Sequence, residues 1–182
     1  MPILGIIASS FRSAGGGPEG AYDALATVTV PSGGAASIEF VGIPTGYKHL
    51  QIRAIGKPST AGAQDCLFNF NGDTGSNYNA HQLYGNGSSA VAAARGTGTS
   101  GWVTYWDNTQ FGSFVFDILD YQDTNKYKTT RSLGGHDLNG SGYILFRSGL
   151  WMSTSAINQV VLTSAGSTSF AEYSSFALYG IR

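Results

Sequence analysis

The chain has 182 residues, 42% of them hydrophobic and only 12% charged, with a net charge of −1; this fits one domain and excludes the weakly hydrophobic, highly charged profile of a disordered chain. Ten Lys plus Arg against eleven Asp plus Glu leave no cationic excess for nucleic-acid phosphates. A mean hydropathy of −0.04 and the lack of an apolar run near 20 residues leave no candidate for a helical membrane span.

Residues 1–20 read as an N-terminal arm and connector ahead of a single domain over 21–182. Ile3, Leu4, Ile6 and Ile7, with Phe11 beyond them, supply the apolar residues of the arm, and the Gly/Pro-rich stretch Phe11–Gly20 supplies a flexible connector. Such a stub either packs on its own domain as a first strand or docks on a neighbouring subunit, because exposed aliphatics are costly in a free tail. The segment lacks the basic start and apolar stretch of a secretory signal, and one cysteine, Cys66, cannot form an internal disulfide. Folding in a reducing cytoplasm is the expectation.

Strand signals follow one another from residue 21, separated by Gly, Ser, Asn and Asp. They cover Ala24–Val30, the alternating Ala36, Ile38 and Phe40, then Leu50, Ile52 and Ala54, then Leu67–Phe70. Further on come Phe111–Tyr121, Tyr127–Ser132, Tyr143–Met152, Val160–Thr163 and Phe176–Ile181. Ala90–Arg95 has helical propensity but is short and runs into a Gly-rich stretch, so one turn of helix or a loop is predicted there. About nine strands with Gly-rich turns predict an all-β, antiparallel β-sandwich, jelly-roll-like, with an extended N-terminal arm.

No catalytic constellation stands out. His49, His81 and His136 are scattered and read as surface or loop histidines. Asp117 and Asp120 fall on opposite faces at strand spacing, with Asp117 expected to point inward onto Arg131 or Arg147. Cys66 reads as a small buried hydrophobe. The run Asn69–Asn77 places oxygen ligands at Asn71, Asp73 and Asn77 like the start of a calcium loop, yet it lacks the several acids and closing Glu of one. A hydrogen-bonded turn is the main reading, with a cation as the alternative. No cofactor is implied. Tyr78 and Tyr84 either stack on sugar rings or cover one end of the sandwich, and Trp102 and Trp106, expected on one strand face, read as core or subunit-interface anchors with ligand stacking as the alternative.

The strings Gly20–Val30, Ile43–Arg53, Phe70–Tyr78 and Ser175–Arg182 resemble a widespread family of small virion-associated proteins of tailed bacteriophages, many of them from cyanophages. The resemblance spans nearly the whole chain and implies a non-enzymatic structural protein of the virion; it carries over no residue roles. The expected function is a capsid cement or decoration protein, trimeric, whose arm grips a neighbouring subunit or the major capsid protein. The alternative is a tail or baseplate protein that binds host glycans. A hydrolase would have only Asp117, Asp120 and Asp123 to work with.

Overall fold

The computed structural model describes the backbone of Ile6–Ile7 and, in full, residues 20–60 and 62–182. The arm candidates Ile3, Leu4 and Phe11 lie outside the described residues.

Thirteen strands make up the described chain: β1 (Ile6–Ile7), β2 (Tyr22–Thr29), β3 (Ser37–Val41), β4 (His49–Gly56), β5 (Gln64–Phe70), β6 (Tyr78–Gly85), β7 (Ala90–Gly98), β8 (Gly101–Trp106), β9 (Gly112–Leu119), β10 (Lys128–Asp137), β11 (Gly142–Trp151), β12 (Gln159–Ser164) and β13 (Ser175–Ile181). They form two sheets, ordered β1-β3-β12-β5-β8 and β2-β13-β4-β9-β10-β11-β6-β7. Apart from β1, which pairs parallel with β3 through Ile6–Ile38 and Ile7–Glu39, all neighbours are antiparallel.

Setting aside β1 and the hairpins β6–β7 and β10–β11 leaves two four-stranded sheets, β3-β12-β5-β8 and β2-β13-β4-β9. The chain crosses between them at every step except β5 to β8. That is a jelly-roll β-sandwich. The two extra hairpins both join the same sheet beyond β9, so one sheet has eight strands and the other five.

Period-2 alternation explains why these segments form strands with one buried face. Along β9, Phe114, Phe116 and Ile118 are buried while Ser113 and Val115 are exposed; along β12, Val160 and Leu162 are buried. Facing residues from both sheets close the core, with Phe40, Phe68, Phe70, Trp106, Phe116, Phe170 and Phe176 at or near zero exposure. Each such ring contributes roughly 1.5–3 kcal/mol by leaving water. Phe68 sits at the centre, its ring 4.6 Å from that of Phe70 and 4.9 Å from that of Phe116. The chain allows this only because residue 101 is Gly: a Cβ there would lie 2.1 Å from the Phe68 ring.

Two expectations change. Ala90–Arg95 is strand, not a helical turn, because its alanines complete the ladder of β6 at Leu83–Ala92 and His81–Ala94. Pairing of a whole edge outweighs the weak helical preference of a six-residue run. Trp102 and Trp106 lie on opposite faces of β8. The register jumps from Cys66–Thr104 to Leu67–Trp102, so Val103 is an extra residue and the bulge reverses the facing.

Candidate functional site

The candidate site is the outer face of the eight-stranded sheet. Its cross-strand pairs define ladders that run across the strands. One ladder reads Arg53–Val115–Leu133–Phe146–Leu83–Ala92 on β4, β9, β10, β11, β6 and β7. The four central residues are apolar and exposed, Val115 at 39%, Leu133 at 52%, Phe146 at 51% and Leu83 at 54%. They form a ridge about 15–20 Å long at ordinary strand spacing.

The next ladder, one step along the strands, reads Ile55–Ser113–Gly135–Ile144–Gly85–Ala90. Its small members Ser113, Gly135 and Gly85 leave a depression beside the ridge. The turns Asn86–Gly87 and Gly140–Gly142 stand at its end, and together they enclose a trough of about 980 Å³ bordered by Ile55, Val115, Leu133 and Ile144. This contiguous apolar surface on a charge-poor protein makes the face the candidate interaction site.

Polar groups flank the ridge on its other side. Asp117 accepts from the Arg131 guanidinium at 2.8 Å and from the Gln51 amide at 2.7 Å, and the Arg53 guanidinium donates to Gln51 Oε1 at 2.7 Å. Arg53 also lies over the rings of Tyr22 and Tyr179, at 5.0 and 4.9 Å. Asp117 therefore has the Arg131 partner expected of it, but on the outer face rather than inside. On the far side of the trough Asp137 is exposed and caps the Asn139 backbone N–H at 2.7 Å.

The other sequence candidates are scattered. Tyr78 and Trp106 are core residues with 1% and 0% exposure, so neither is open to a sugar ring. The Tyr78 ring stacks beside Trp151, and its hydroxyl accepts from the Phe70 N–H at 3.0 Å. Trp106 packs on Phe114 at 5.6 Å. Tyr84 leans on Tyr143 at 5.9 Å, inside a cluster with Tyr105 and His136. Trp102 holds the guanidinium of Arg95 at 4.2 Å and that of Arg147 at 4.9 Å. Ile6 and Ile7 take their place at the β3 edge of their own chain.

In the 71–77 turn, Asp73 is surrounded by donors. Its carboxylate accepts from the Gly75 N–H, the Asn77 amide and the Trp151 indole, at 2.7–3.2 Å. The Asn71 side-chain Oδ1 accepts from the backbone N–H groups of Asn158 and Gln159. N–H groups pointing at these oxygens repel a cation; this is the hydrogen-bonded turn. Among the described residues, no three His, Cys, Asp or Glu side chains converge.

Several other titratable groups are tied into the scaffold, whereas His81 is exposed on β6. His49 accepts the Asp120 N–H through Nδ1 at 2.9 Å, while His136 is buried, with Nδ1 3.2 Å from the Tyr105 carbonyl, rather than lying at the surface. Asp120 bonds Lys126 and pairs with Lys48, which together hold its carboxyl down to about 2. Cys66 is fully buried, and burial pushes its thiol far up, leaving it inert. Sequence reasoning missed the ridge because Val115, Leu133, Phe146 and Leu83 belong to four separate segments. The available signal was a second apolar set on strands whose first set already faced the core.

No family model matches the chain, and no curated protein sequence matches it.

Proposed function

We propose that the chain is a non-enzymatic structural subunit of a bacteriophage virion, a capsid cement or decoration protein, that works through surfaces shared with other proteins. The observation that carries the reading is the exposed ridge Val115–Leu133–Phe146–Leu83. None of the four belongs to the buried core between the sheets, and each leaves 39–54% of its surface open to water. Their exposure is costly in a free protein and is relieved when a partner covers them. The resemblance of four segments to virion-associated proteins supports the same reading, as does a jelly-roll sandwich, an architecture shared by viral capsid and lectin domains.

A subunit that binds only the assembled shell stabilises that shell by mass action. Purified particles of the phage should therefore contain the protein, with labelled antibody distributed over the head. Particles lacking it should release DNA at lower temperature. Label confined to the tail tip, or absent from purified particles, overturns the cement reading.

A further inference from the structure

We infer that the outer face of the eight-stranded sheet is self-complementary and binds a second copy of this chain across a two-fold axis. The pairing rests on the assembly reading above, whose partner it names. An axis parallel to the sheet, across the strands and midway between the ridge and trough ladders, sets each strand antiparallel over its own counterpart. The ridge of each copy then enters the trough of the other, an isologous contact. The registers specify what meets what. Leu133 sits over Gly135 of the second copy, Leu83 over Gly85 and Val115 over Ser113, large side chains above small ones in each case. Phe146 and Ile144 complete the apolar contact between them.

The flanking charges agree with the same axis. Arg131, two residues before Leu133 on β10, falls opposite Asp137, two residues after Gly135 on the other copy's β10. Lys57, just beyond β4, falls opposite Gln51 and its bonded Asp117. Arg131 and Asp137 thus face each other twice across the axis, while Lys57 meets the Gln51 amide and Arg53 meets Ile55. Five strands about 4.8 Å apart and four ladders about 6.8 Å apart cover on the order of 650 Å² before side-chain relief is counted. A stable interface of standard size covers roughly 800 Å² per partner.

The test is sedimentation equilibrium on the purified full-length protein, with circular dichroism to confirm folding of each variant. The native chain should form a dimer at micromolar concentration. Leu133→Glu, which places a carboxylate over Gly135, should weaken association at least about 100-fold, since a charge at the interface core is left without a partner. Asp137→Lys should weaken it about tenfold by facing Arg131 with a like charge, and added salt should narrow that difference. Tyr173→Ser, at an exposed site off this face, should leave it unchanged. A monomer at about 100 μM, association unaffected by Leu133→Glu, or a trimer lost with that variant would each overturn the two-fold pairing. None of these outcomes alters where the protein is found on particles, so the virion reading stands or falls separately.

Discussion

The Arg147 guanidinium on β11 reaches Asp65 on β5 at 2.8 Å, an ion pair that joins the larger sheet to the smaller one. The Arg147 side chain is only 4% exposed, donates a second bond to Gln82 at 3.1 Å, and lies over Trp102. Removal of Asp65 strands a buried cation, so Asp65→Ala should cost about 3–5 kcal/mol in urea unfolding. Arg147→Met keeps the volume without the charge and should cost clearly less. Equal losses from the two changes would contradict this account.

Asp73 organises the turn between β5 and β6 by accepting from Gly75, Asn77 and the Trp151 indole. Asp73→Ala leaves the indole N–H without its acceptor and should lower stability by about 2–3 kcal/mol. Because donors surround the carboxylate, the melting temperature should be the same in calcium and in EDTA. A calcium-dependent rise would restore the cation alternative.

Asp120 gives stability an acid dependence with a definite sign. Its left-handed backbone, at φ 47°, is held by Lys126, Lys48 and the bond to His49. Those lysines hold its carboxyl at about 2, below the ordinary 3.8, so the unfolded chain binds the proton more tightly. The contribution is therefore complete above about pH 4 and is lost as the pH falls through about 2. The stability gap between native protein and Asp120→Asn should shrink from pH 6 to pH 2.5. A constant gap would exclude the ion pairs as its source.

Gly101 and Phe68 form a matched pair in the core. A Cβ at 101 would stand 2.1–2.8 Å from three atoms of the Phe68 ring. Gly101→Ala should cost 3 kcal/mol or more, on the order of severe overpacking. Adding Phe68→Leu should recover part of that loss by vacating the space, and a thermal melt of the double variant decides it. Purely additive losses would mean that the clash is relieved elsewhere.

Much of the fold was legible residue by residue. Alternation at Ala36–Phe40, Leu50–Ala54 and Phe114–Ile118, bounded by Gly and Asn turns, depends only on each segment's own side chains and the two-residue period of a strand. It determined an all-β sandwich and the shared buried face of Phe114, Phe116 and Ile118, while the chemistry of a lone thiol in an apolar run pointed to the burial of Cys66. Asp73 was legible as a turn residue for the same local reason.

What only the tertiary structure decided concerns partners distant along the chain. Ala90–Arg95 became strand because β6 offered an edge, and one bulge at Val103 separated the faces of Trp102 and Trp106. Tyr78 went to the core because the rings of Phe68 and Trp151 pack against it and the Phe70 backbone N–H bonds its hydroxyl. The hairpins β6–β7 and β10–β11 joined one sheet, aligning Val115, Leu133, Phe146 and Leu83 from four segments into a single ridge. Side-chain period is a property of the local backbone, whereas strand register is set by pairing between segments, and no local pattern encodes it.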